Sequence, residues 1–158
     1  MTGKPGFDGG CACGQVRYRM KREPLFVHCC HCSWCQRETG SAFVLNGLLE
    51  ASGLTVLKGE VEIIDTPSAS GRGQRISRCP DCKVALWSNY SAAGDAIHFV
   101  RIGTLDESVA FPPDIHIFTS SSLPWVRLNG DVPVVQEYYD WRDYWPEESV
   151  QRYRDAVS

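Results

Sequence analysis

The stretch Gly10-Cys11-Ala12-Cys13-Gly14-Gln15-Val16-Arg17-Tyr18-Arg19-Met20 sets two thiols one residue apart and then alternates apolar with polar side chains. Val16, Tyr18 and Met20 fall on one face of an extended chain, and Arg17, Arg19 and Lys21 on the other. That period of two marks a half-buried strand. A thiol pair at the head of a strand calls for a second pair, and Cys79-Pro80-Asp81-Cys82 supplies it. Two such turns can aim four sulfurs at one point, the donor set of a closed tetrahedral zinc site. Cys11, Cys13, Cys79 and Cys82 are therefore read as one structural metal group. It would pin two distant strand ends together, so its binding energy is folding energy.

Strand-like runs continue outward from this opening. They cover Ala42 to Leu49, Leu54 to Lys58, Glu60 to Ile64, Gln74 to Ser77, Val84 to Asn89, Ala96 to Ile102, Ile115 to Phe118 and Trp125 to Leu128. Pro, Gly, Ser and Asn punctuate them at the rhythm of an antiparallel all-β domain. Gly59 reads as a tight hairpin or a bulged bend between two of these runs. Helix is expected as a single turn over Ser33 to Thr39 and as a C-terminal helix from Glu147 to Val157. In the latter, Pro146 suits the first turn and Val150, Tyr153 and Val157 share a face. The stretch Ser68 to Gly73 reads as the most flexible loop.

A third cluster carries the chemistry. In Cys30-His31-Cys32-Ser33-Trp34-Cys35 three sulfurs on a short loop can cap an ion from one side and leave the other side open. Three protein ligands plus an exchangeable position describe a catalytic zinc, whereas a fourth ligand from Cys29, His28, His31 or a distant histidine would make the site structural. Both readings stand at this point. Cys29 adjoins Cys30 and reads as a small buried hydrophobe. The His31 ring is expected to point away from its flanking cysteines, and His98 and His116 read as core histidines. Arg37, Arg72, Arg75 and Arg101 are candidate cations for an anionic substrate. His31 and Glu38 lie beside the loop as candidates for proton transfer.

The chain has 158 residues, 43% hydrophobic and 11% aromatic, with a formal charge of -3. This suits one soluble domain over 1–158. Residues 1–8 lack the apolar stretch of a secretory leader and no run is long enough for a membrane span. A cytoplasmic location is the expectation, where clustered cysteines stay thiols and bind metal. A disulfide framework is disfavoured by that compartment and by the adjacent and one-apart spacings. With both groups loaded the charge would fall to about -6, which argues against a nucleic-acid partner.

The stretch Cys30-His-Cys-Ser-Trp-Cys-Gln-Arg-Glu-Thr-Gly-Ser-Ala-Phe43 resembles the signature of the glutathione-dependent formaldehyde-activating enzyme family, which includes the centromere protein V domain. Gly10 to Tyr18 is similar to the family's first ligand strand, and Cys79 to Cys82 with Ala85-Leu86-Trp87 resembles its second ligand pair. His116-Ile117-Phe118 and Leu123-Pro124-Trp125 resemble its C-terminal landmarks. The resemblance spans about 9–137 and leaves 138–158 as a C-terminal strap and helix. It implies zinc-stapled antiparallel sheets of a β-tent type, with a structural zinc on Cys11, Cys13, Cys79 and Cys82. A second, catalytic zinc on Cys30, Cys32 and Cys35 is implied with it. The implied activity is that of a carbon–sulfur lyase joining glutathione, a small-molecule thiol, to formaldehyde or another small aldehyde. Arg78 and Lys83 depart from the family pattern, since an aromatic and a glycine are common at those positions. From another functional class, a zinc-stapled protein-binding module with both metals structural remains the alternative. Its surface would be Tyr138 to Trp145, unless that segment packs back as a strap.

Overall fold

A computed structural model of the protein describes residues 6–128 and 130–158. The part of the leader reading that falls on residues 1–5 lies outside them. The strands are β1 (Phe7–Gly10), β2 (Arg17–Met20), β3 (Phe26–Cys30), β4 (Val44–Glu50), β5 (Leu54–Lys58), β6 (Glu62–Thr66), β7 (Gln74–Arg78), β8 (Ala85–Tyr90), β9 (Ile97–Arg101) and β10 (Ile115–Ile117). Two α-helices accompany them, α1 (Ser33–Thr39) and α2 (Glu147–Val157). Mostly β structure with one short C-terminal helix is the class that the alternation and turn rhythm indicate.

The strands form a three-stranded sheet, β1-β2-β5, and a seven-stranded sheet, β10-β3-β4-β9-β8-β7-β6. All pairings are antiparallel except β10 with β3. That exception corrects the purely antiparallel expectation: β10 follows a long irregular connection, which frees it to return in the parallel sense. Of the two forms expected at Gly59, a tight hairpin or a bulged bend, the hairpin does not form. β5 pairs with β2 and β6 with β7, so Gly59 is the bend where the chain passes between sheets. Its φ of +77° is open to glycine, and a Cβ there would sit 2.2 Å from the Gln15 carbonyl oxygen. Trp125 to Leu128 forms no strand; Val126 closes a turn onto the Leu123 carbonyl at 3.0 Å, after Pro124, and no strand pairs with it among the described residues.

Side-chain alternation divides the core into two clusters. Val16, Tyr18 and Met20, all nearly inaccessible, pack with Val27, Leu49, Trp87 and Val100 in the cluster that also holds Cys11 and Cys79. The second cluster takes Phe26, Cys30, Val44, Leu48, Ile97 and the two isoleucines of β10. It is covered by the C-terminal segment: Tyr139 and Trp145 are buried, and the Trp145 indole N–H donates to the Tyr139 hydroxyl at 2.7 Å. This is the strap arrangement. On α2 the packed residues are Val150, Tyr153 and Ala156, with Val157 exposed, which corrects the expected face by one residue at its end. α1 runs for seven residues, longer than one turn. Its first turn is held by Cys32 Sγ, which accepts the Cys35 N–H at 3.3 Å, and Gly40 ends it in a left-handed conformation.

Candidate metal centre

Cys11 and Cys13 lie in the turn between β1 and β2, and Cys79 and Cys82 in the turn between β7 and β8. The two turns are built alike. Cys11 N–H donates to the Val16 carbonyl and Cys79 N–H to the Val84 carbonyl, each at 3.1 Å. In each, the residue after the second cysteine is left-handed: Gly14 at φ +82° and Lys83 at φ +65°. The backbone thus explains why glycine suits the position of Lys83. Arg78, the other departure, donates to the Lys83 carbonyl at 2.9 Å and pairs with Glu38 of α1. It braces the strained turn against the helix that carries Cys35.

The four sulfurs lie within 4.8 Å of one another, with Cys11–Cys13 at 3.6 Å and Cys13–Cys79 at 3.7 Å. A tetrahedral zinc with bonds of about 2.3 Å sets its sulfurs about 3.8 Å apart, so these two contacts match the ligand edges of such an ion. Burial works to raise the Cys11 pKa. The Val16 N–H, at 3.3 Å from the sulfur, and the sulfurs of Cys79, Cys13 and Cys82 outweigh it and bring Cys11 down to about 6.

Cys30, Cys32 and Cys35 form the second group, placed by the end of β3 and the first turn of α1. Their sulfurs also lie within 4.8 Å of one another, Cys30–Cys35 being 3.4 Å. Among the described residues no fourth Cys, His, Asp or Glu joins them. Contacts from the Cys30 and Cys35 thiols, then the N–H groups of Cys35 and Trp34, hold Cys32 down to about 2 against burial. Cys30 moves the opposite way, raised by its contacts with Cys32 and Cys35 and by burial. A soft divalent ion binds such a group as thiolates, so loading it releases the remaining thiol protons.

Two cavities are lined in part by α1, the helix that carries Cys35, and neither is lined by the three cysteines themselves. The larger, about 660 Å³, is lined by Trp34, Gln74, Arg72, Arg75, Asn89 and Tyr90. Trp34 lies between two of the cysteines in the chain. The Tyr90 hydroxyl is raised above its ordinary range by burial and then by the charge of Cys35. The smaller cavity, about 410 Å³, is lined by Glu38, Phe43, Arg78, Lys83 and Arg101. Arg101 is 6% exposed; its Nη1 donates to Asn46 Oδ1 at 2.8 Å, while Nε has no partner among the described residues. Its charge also reaches Cys35. That thiol is pushed up to about 12, because Cys32 and burial outweigh the favourable contact from Cys30 and the pull of Arg101.

The structure sorts the remaining candidates. Arg37 is exposed on α1 and lines neither cavity, and Arg75 is paired with Asp95. Glu38 is held by Arg78 rather than free for proton transfer. His28 is buried against Tyr139, its Nε2 2.6 Å from the hydroxyl, and burial lowers its pKa to about 3. His98 contacts the Asn89 amide and is lowered to about 4 by burial, in keeping with a core histidine. The His31 ring does point away from the cysteine triplet, and Cys29 is buried. Both nevertheless meet His116 to form a third cluster, which the sequence reading missed. The signal was present in the alternation of β3, which sends Cys29 and Cys30 to opposite faces.

A family model described as "Glutathione-dependent formaldehyde-activating enzyme" matches residues 6–121. A Halomonas elongata protein described as "Putative glutathione-dependent formaldehyde-activating enzyme" is 26% identical over 128 residues, covering 78% of this chain and 81% of that protein. An Emericella nidulans protein with the same description is 33% identical over 92 residues, 54% of this chain and 45% of its own length. A crystal structure of a Rhodobacter sphaeroides protein aligns with a TM-score of 0.47 at 16% identity, over 81% of this chain and 99% of that one.

Proposed function

Because the chain belongs to the glutathione-dependent formaldehyde-activating enzyme family, we propose that it is a zinc-dependent carbon–sulfur lyase adding a thiol reversibly to a small aldehyde. Glutathione and formaldehyde are the proposed pair, and the reducing cytoplasm the proposed compartment. Among the described residues no helix is long and apolar enough to cross a membrane. The observation that carries this reading is the cysteine triplet: three convergent sulfurs with no fourth protein ligand among the described residues.

In this reading Cys11, Cys13, Cys79 and Cys82 hold a structural zinc, and Cys30, Cys32 and Cys35 hold the second. A zinc ion with an exchangeable position supplies acidity to a bound thiol and polarises a carbonyl oxygen. In the reaction the thiol sulfur bonds to the aldehyde carbon, the carbonyl π pair moves to oxygen, and the thiol proton ends on that oxygen. The reverse step cleaves the same carbon–sulfur bond.

The protein's side chains orient the partners. Three thiolates and one divalent ion would leave a net charge of -1, and buried Arg101, which has no carboxylate partner among the described residues, would offset it. Arg72 lines the larger cavity and is the proposed partner of a substrate carboxylate. Gln74 presents a buried Oε1 with no donor among the described residues, suited to an amide or ammonium N–H of the thiol. Trp34 and Tyr90 offer the apolar walls. For the protein-binding alternative, burial of Tyr139 and Trp145 leaves Tyr138 and Tyr144 as the exposed aromatics of its surface.

Exchange spectroscopy of S-hydroxymethylglutathione formation tests the proposal. The parent should accelerate exchange over buffer and over Cys32→Ser. Equal exchange in all three, across several thiols and aldehydes, would refute the lyase reading.

A further inference from the structure

We propose a third metal site, built from Cys29, His31 and His116, that takes a divalent ion of the zinc type. It lies on the face of β3 opposite Cys30. Parallel pairing sets His116 of β10 beside Cys29, and register partners share a face. His31 follows two residues after Cys29 and keeps the same side. The topology therefore gathers one thiol and two imidazoles behind the cysteine triplet, back to back with it across one strand.

The three donor atoms converge. Cys29 Sγ is 3.4 Å from His31 Nε2, and His31 Nε2 is 3.1 Å from His116 Nδ1, with all three atoms within 4.8 Å. A tetrahedral zinc sets two nitrogens about 3.3 Å apart and a nitrogen and sulfur about 3.6 Å apart, so both contacts are close to ligand edges. A hydrogen bond between two imidazoles would need two of these groups. One ion would join all three groups at once.

The arrangement is also held in place. His31 N–H donates to the Ile117 carbonyl at 3.0 Å, and the His31 carbonyl accepts from Gln36 Nε2 at 2.9 Å and from Ser121 Oγ at 3.0 Å. Its ring packs on Phe43 at 5.4 Å between centroids. Cys29 and His31 are buried, whereas His116 is partly exposed and gives an ion its approach.

Binding is balanced by one proton. The Cys29 thiol releases its proton to solvent, both imidazoles bind neutral, and the divalent ion with one thiolate carries a charge of +1. Water takes the fourth position. One detail sets the affinity. With Nε2 on the metal, the His31 proton sits on Nδ1, which is buried and has no partner among the described residues. The outer acceptor that usually orients a metal-bound histidine is missing, a loss worth about 10–100-fold in affinity. The third site should therefore fill after the four-cysteine site and empty first.

The test is anaerobic titration of the metal-free full chain with cobalt(II) and zinc, with metal content measured after desalting under graded chelator. His116→Ala and Cys29→Ala are each compared with the parent. The expected result is that each variant binds one equivalent fewer than the parent, the missing equivalent being weaker than that of the four-cysteine site. The missing cobalt absorption should have the sulfur-to-metal intensity of one thiolate. The comparison is between parent and variant, so an empty triplet does not alter the reading. Unchanged metal content in a folded variant overturns the proposal, and so does a lost equivalent with the intensity of three thiolates. Should one variant fail to fold, the other decides by the same count. Should both fail, a cobalt titration of the parent decides, and the proposal falls unless an equivalent with one thiolate's intensity appears.

Discussion

Replacing one cysteine in each proposed zinc group should separate a structural role from a catalytic one. Cys79→Ser removes a ligand that is wholly buried in the core with Tyr18 and Trp87. Its group closes Cys13 onto Cys79, 66 positions apart, so the ring closure alone is worth about 4 kcal/mol by chain entropy. The full binding energy of a structural zinc is about 10–16 kcal/mol, comparable to the whole stability of a domain. At about 2–4 °C per kcal/mol, the midpoint should fall by at least about 8 °C, and the variant should approach outright unfolding. Cys32→Ser is different. Cys30 and Cys35 are five positions apart, for which closure is worth about 2 kcal/mol. Serine also keeps the cap on α1, where Cys32 Sγ accepts the Cys35 N–H. That variant should melt less than about 8 °C below the parent while losing one metal equivalent and its lyase activity together. Thermal melts with metal analysis decide the matter. A Cys32→Ser midpoint as low as that of Cys79→Ser would show the triplet to be a staple and refute the division.

Two further perturbations test the frame around the site. Gly59→Ala adds a Cβ 2.2 Å from the Gln15 carbonyl at positive φ, so it should cost more than the strain of about 1–2 kcal/mol expected for Gly71→Ala, where nothing lies within 4 Å. Urea melts would expose the error if the two variants matched. Arg152→Met removes two hydrogen bonds, at 2.7 and 2.9 Å, from Glu50, which is 3% exposed and keeps only Arg22. It should cost about 2–3 kcal/mol near neutral pH. Burial works to raise the Glu50 pKa, but Arg152 and Arg22 bring it below its ordinary value. Its contribution is therefore present above the unfolded pKa of about 4.3 and is lost as pH falls through the folded one. The gap in stability between parent and variant should narrow below about pH 4, and a gap independent of pH would refute the assignment.

What local pattern determines was readable in the chain itself. Val16, Tyr18 and Met20 had to share a face because side chains alternate along a strand. The Cys-x-Cys and Cys-x-x-Cys pairs had to converge locally because each spans one turn. α2 begins at Glu147 after Pro146, where the ring's fixed φ suits a helix start. The tertiary structure decided everything that depends on which distant strands become neighbours. β10 returned parallel to β3, Gly59 became a bend between sheets, the second of its two expected forms, and Trp125 to Leu128 has no partner strand among the described residues. Glu38 was claimed by Arg78, a residue 40 positions away. The same rule governs the third cluster. Alternation could place Cys29 and His31 behind the triplet, but His116 stands 85 positions from His31, and only strand pairing brings their rings together. Periodicity is a property of neighbouring residues, whereas pairing is chosen by the packing free energy of the whole chain.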